Sequence, residues 1–212
     1  MQFSNSVSNF FDLDHSMTTS FRLGAIAVAL SASASILSAQ TPPAPPKAAL
    51  STTAPLVVTL LKDIEDVSGK FVGLAKAIPV DKYDWRPAAD VRSVREVLLH
   101  VASDNYLLPA LAGSAAPTIT GIDLKDFKSV DRFEKRPLSR DSVVAELERS
   151  FMHLGNAMAK TGTQNLADVV NMFGQKSPVQ DLWILTTTHL HEHLGQSIAY
   201  ARMNGVKPPW SK

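Results

Sequence analysis

The chain contains no cysteine among its 212 residues. That absence excludes disulfides, thiolate nucleophiles and thiolate-bound zinc or iron–sulfur centres, and leaves His, Asp and Glu as the only strong metal ligands. Charge of one sign is also missing. With 21 basic against 20 acidic residues the formal net charge is +1, and no Lys/Arg cluster interleaved with aromatics tracks a phosphate backbone, which argues against a nucleic-acid partner. Aromatic residues make up only 7% of the chain. Nor is there an apolar run long enough to cross a bilayer comfortably: LGAIAVALSASASIL, residues 23–37, falls short of the roughly 20 residues a spanning helix needs.

That run follows Arg22 and has the length and small-residue content of a signal-peptide core. Residues 1–39 are therefore read as a leader, with cleavage after Ala39 or, alternatively, after Ala34, and with Met17 as a candidate true start because Asp12 and Asp14 suit a signal poorly. The expectation is an exported protein, periplasmic or secreted, with no stable membrane insertion after cleavage. Residues 40–50 include TPPAPPK, a proline-stiffened tether. Residues 51–212 remain, at 45% hydrophobic and 19% charged over the whole chain, as one ordinary globular domain.

Within it, apolar residues at Leu56, Leu60, Ile64, Val67, Phe71, Leu74 and Ile78 recur at three-and-four spacing and predict a helix from about 53 to 77. Ser93-Val94-Arg95-Glu96 is a capping box that opens a second helix, with Pro109 marking its exit. A third, roughly 140–160, rests on Val143, Val144, Leu147, Phe151, Leu154 and Met158. The fourth is expected to begin with Ser177 as cap, Pro178 at its first position and Gln180 completing a box, and to stop at Asn204-Gly205. Little or no sheet is expected. The fold class is all-α, a four-helix bundle with long connections, 79–92 and 112–139, after helices 1 and 2.

The stretch THLHEHLGQ, residues 188–196, gathers three of the six histidines. His189 and His193, four apart on a helix, share one face and can present two ring nitrogens to one ion, whereas His191 points elsewhere. Two imidazoles hold a metal weakly, and a third from another helix would close the set. His100, inside the apolar VREVLLHVA, is the candidate, because an imidazole among leucines needs its nitrogens satisfied. Spacing alone leaves two readings open, metal ligands or hydrogen-bonded core histidines. His191 and Glu192 read as solvated, His153 as partly exposed, and His15 precedes the apolar run of the leader. A zincin motif is excluded because Gly195 stands where its second histidine belongs, and a di-iron site because Glu96 and His100 are four apart with no second pair.

Trp85-Arg86-Pro87, SVREVLLH (93–100), HLHEHLGQ (189–196) and YARMNGV (200–206), followed by Pro208-Pro209-Trp210-Ser211, occur in an order that resembles the DinB-like (DinB/YfiT) superfamily over residues 53–211. The resemblance implies a four-helix bundle, often dimeric, with one divalent metal ion (zinc, nickel or iron) on one histidine of the second helix and a pair on the last. By position these are His100, His189 and His193. Gln196, one turn beyond His193, is a candidate for holding a ligand in place. Asp104, a turn beyond His100, either orients a ligand or bound water or is a surface aspartate. Trp85, with Phe127–Phe133 and Trp210, is a candidate for shaping a pocket. Members with known activities include thiol-dependent S-transferases and a thiol-dependent isomerase. The function expected is a metal-dependent hydrolase or transferase acting on a small-molecule substrate, as a homodimer. Two alternatives are a non-catalytic metal- or ligand-binding bundle in stress response, marked by a fourth protein ligand such as Asp104 or Glu96, and a metal-free helical dimer.

Overall fold

The computed structural model describes residues 54–211. The leader, its cleavage sites and the whole of the proline-rich tether lie outside the described residues. Four long helices form the body: α1 (Pro55–Ala77), α2 (Val94–Leu111), α4 (Arg140–Ala159) and α5 (Val179–Met203). A short helix, α3 (Lys128–Glu134), interrupts the connection between α2 and α4. The all-α expectation holds, with five helices among the described residues rather than four. Helix α1 packs on α4 and α5, and α2 packs on the same two helices from the other side. Val57, Ile64, Val67, Phe71 and Leu74 bring one stripe of α1 into the core. Val57 takes the first-turn place expected of Leu56 and Leu60, which are half-buried. No helix among the described residues is long and apolar enough to cross a membrane.

The start of α2 follows the sequence signal closely. Ser93 Oγ accepts the Glu96 N–H at 3.3 Å, and the Glu96 carboxylate accepts the Ser93 N–H at 2.7 Å. Its end does not, because Pro109 lies inside the last turn and the chain turns out at Gly113, φ 88°. A proline this close to the C-terminus removes only one intrahelical bond. Gly113 can adopt the left-handed conformation that stops a helix.

A third long connection joins α4 to α5 and contains a hairpin, β1 (Val169–Met172) antiparallel to β2 (Gln175–Pro178). Its two-residue turn puts both Phe173 (φ 54°) and Gly174 (φ 96°) at positive φ, and the Asn171 side chain accepts the Gly174 N–H at 2.7 Å. Phenylalanine is an unusual occupant of that position, so the turn carries no clear sequence signature. The hairpin also corrects the expected cap of α5. Ser177 is a strand residue paired with Val170, and Pro178, not Ser177, is the capping residue. The N–H groups of Val179 and Gln180 donate instead to the carbonyls of Asp168 and Leu166, at 2.9 and 3.0 Å. Carbonyls of the preceding loop thus satisfy the donors that a serine hydroxyl would otherwise meet.

Candidate metal centre

Helices α2 and α5 lie against each other so that His100 meets His193 and Asp104 meets His189. The His100 Nε2 and His193 Nε2 atoms are 3.0 Å apart. His189 Nε2 lies 2.8 Å from Asp104 Oδ2, which is also 3.1 Å from His100 Nε2. One ligand atom from each of the four residues falls within 4.8 Å of the others, so the group could hold one metal ion. The three histidines expected from the sequence are brought together, and Asp104 faces into the group, not onto the surface. The i,i+4 spacing does this on both helices: His189 and His193 on α5 face His100 and Asp104 on α2.

The outer nitrogens of the rings are engaged as well. His100 Nδ1 lies 2.7 Å from Glu134 Oε1 on α3, and His193 Nδ1 lies 2.9 Å from Gln196 Oε1. Gln196 donates its amide to the Tyr200 hydroxyl at 3.3 Å, and Trp85 meets the Tyr200 ring edge-on at 5.4 Å. Trp85 therefore braces the shell behind His193 and does not enter the cluster. Among the other expected pocket residues, Phe127 is exposed beside Phe173, Phe133 is buried beneath Arg136, and Trp210 packs near Gly73 on α1. His191 pairs with Asp63 on α1 and stays outside the group, and Glu96 is occupied by the α2 cap and by Arg86. His153 is half-buried, as expected, with its Nε2 lacking a partner.

The electrostatics favour imidazole lone pairs and ionised carboxylates. Burial pushes His193 down, and the repulsion that a protonated His100 would exert pushes it further, to about 4, so its ring is neutral near pH 7. Burial raises Asp104, but His100, His189 and His193 outweigh it and hold the carboxyl below its ordinary range. His189 goes the other way: burial lowers it, but its bond to Asp104 wins and raises it. Two consequences follow for the metal-free protein. As pH rises above about 6.5, the folded chain releases the His189 proton only at its raised pKa, so that stabilisation is lost. As pH falls below the same value, the unfolded chain protonates at the His193 position before the folded one does, and stability again declines. Thermal unfolding in a chelator should therefore show its maximum near pH 6.5. Metal affinity should instead climb, by about tenfold per pH unit, until the pH passes the raised His189 pKa, because a bound ion displaces that one proton. Calorimetric titration at several pH values checks both the slope and the released proton.

A surface depression of about 320 Å³ is lined by Lys76, Arg140, Asp141, Val144, Ala145 and Glu148. Its charges are paired, Lys76 with Glu148 at 3.0 Å and Arg140 with Asp141 at 3.1 Å. It shares no residue with the histidine group, and the chemistry is better sought at the group itself. The His189 side chain there is 30% exposed and that of His100 13%.

Two residues of this site had no clear sequence signal. Glu134 ends a short helix, and Tyr200 stands out in the sequence only as the first residue of YARMNGV.

No curated protein sequence matches the chain significantly. Solved structures do. A DinB-like protein from Bacillus cereus ATCC 10987 aligns with a TM-score of 0.56 at 14% identity, covering 72% of this chain and 95% of that one. A conserved protein from Enterococcus faecalis gives 0.57 at 15% identity, covering 69% and 95%. A mycothiol-dependent maleylpyruvate isomerase gives 0.53 at 13% identity, covering 66% of this chain and 59% of that one. At these identities the likeness concerns the fold. Residues 63–197, more than half of the 212, match the family model described as the DinB superfamily, and the chain belongs to that superfamily.

Proposed function

We propose that the domain is a metalloenzyme, of hydrolase or transferase type, that binds one divalent ion through His100, His189, His193 and Asp104 and acts on a small molecule. The observation that carries this reading is the approach of two imidazole Nε2 atoms to 3.0 Å. Both rings turn Nδ1 toward an acceptor oxygen, so both Nε2 atoms point at one spot, an approach that a shared proton or a metal ion between them stabilises. The donor set fits: three imidazoles and one carboxylate suit zinc, nickel or ferrous iron. Such an ion, when bound, acts as a Lewis acid that activates water or a thiol, or polarises a substrate carbonyl.

The chain's own residues supply the rest. Asp104 Oδ2 accepts the His189 Nε2 proton in the metal-free state, closing the site until that proton leaves. Gln196 and Tyr200 hold the His193 ring in one orientation. The leader-like run at 23–37 supports a periplasmic or secreted location, where the thiols of cytoplasmic relatives are not the natural cosubstrate.

One observation favours a second reading. Four protein donors fill a tetrahedral ion completely, as in structural zinc sites, whereas a five- or six-coordinate ion keeps room for substrate. The enzyme reading therefore favours nickel or iron over zinc. The test is turnover of a panel of small esters, lactones and alkyl electrophiles by protein loaded with each metal, with and without added thiol. Turnover that chelation abolishes supports the enzyme. A stoichiometric ion with no exchangeable water and no turnover on any substrate supports a non-catalytic binding module.

A further inference from the structure

Glu134 is 6% exposed and stands at the last position of α3, a helix with only two turns. Its Oε1 lies 2.7 Å from His100 Nδ1, on the side of the ring away from the metal-binding group. Arg92, from the connection before α2, clasps the same carboxylate, with Nε 2.8 Å from Oε2 and Nη2 3.4 Å from Oε1. Arg92 thus donates to both oxygens, and a carboxylate clasped in this way offers its remaining lone pairs only as acceptors. His100 Nδ1 must donate to it, which puts the ring proton on Nδ1 and leaves the Nε2 lone pair facing the centre.

We infer that Glu134, held by Arg92, is a positioning residue for the metal centre, fixing His100 in the Nδ1–H tautomer and in the ring orientation that points Nε2 at the ion. The inference rests on His100 being a ligand for its functional meaning, but the tautomer itself is a property of the metal-free chain. The clamp draws the two connecting segments around α2 into the site: Arg92 from the segment that precedes it, and Glu134 from α3 in the segment that follows. Carboxylate–histidine–metal arrangements of this kind raise ligand basicity as well as fixing the ring.

The experiment uses the full chain and four variants: Glu134→Ala, Glu134→Gln, Arg92→Met and, as a control on the exposed side of α3, Arg132→Ala. Long-range proton–nitrogen NMR of the imidazoles, in metal-free protein at pH 7.5, reads the tautomer. Competition against a chromogenic chelator reads cobalt and zinc affinity. The parent and Arg132→Ala should show His100 as the Nδ1–H form. Glu134→Ala should show a mixture with Nε2–H and bind metal about 10- to 100-fold more weakly, while Glu134→Gln and Arg92→Met should lose about three- to tenfold. If Glu134→Ala does not fold, the two milder variants carry the test. An Nε2–H ring in the parent, or an unchanged tautomer with affinity within twofold in the variants, would overturn the inference. A parent that binds no metal but shows the Glu134-dependent tautomer would sink the metalloenzyme reading and leave the clamp standing.

Discussion

A His189→Ala/His193→Ala double variant is expected to bind metal roughly ten-thousandfold more weakly than the parent. The size follows from sharing the binding energy. A four-donor site of this kind holds its ion with about 10–16 kcal/mol, or roughly 2.5–4 kcal/mol per donor, and two donors lost correspond to roughly four to six powers of ten. The helix itself should survive, since alanine is the best helix former and neither ring is fully buried. Circular dichroism of parent and variant in chelator should therefore agree, while competition titration separates them. Equal affinities would mean that the ion, if there is one, sits elsewhere.

The second large effect is expected at Asp104, where two quantities move together. In Asp104→Ala the affinity for nickel or zinc should fall by about a hundredfold or more, the share of one donor. The metal-free protein should also lose about 1–3 kcal/mol of stability, because His189 is left without its partner in a part-buried site. The figure lies below the roughly 3–5 kcal/mol of a broken, fully buried pair and matches the cost of one unsatisfied group, since the His189 side chain is 30% exposed. The sign of the affinity change decides what Asp104 does. A carboxylate that only blocks the empty site would, once removed, leave His189 free to bind and raise affinity. Denaturant unfolding in chelator and metal titration of the same preparation measure both.

The parts of the molecule legible in the sequence were those fixed by local pattern. The i,i+4 spacing of His189 and His193 placed both on one face, and the apolar run around His100 pointed to a ring that needed partners. The capping box at Ser93 and the stop at Asn204-Gly205 appear where the residues indicated. Pairwise arrangements between distant segments were not legible. Helix α3 is seven residues long, too short to set up a periodic stripe, so Glu134 looked like any charged loop residue. The hairpin hides for a related reason: its strands have four residues each, and its turn uses Phe173 where Asn or Asp would have announced it. Asp104 was visible as a position one turn beyond His100, yet only the packing of α5 on α2 tells a ligand from a surface carboxylate.

The most direct measurement is the metal content of the full chain, expressed without a polyhistidine tag and analysed by plasma mass spectrometry. The account requires about one divalent ion per chain, lost on dialysis against chelator and regained from nickel, iron or zinc salts. A chain that holds no ion after reconstitution with all three would contradict it, leaving a helical bundle whose clustered histidines are bonded to one another and to Glu134, Asp104 and Gln196.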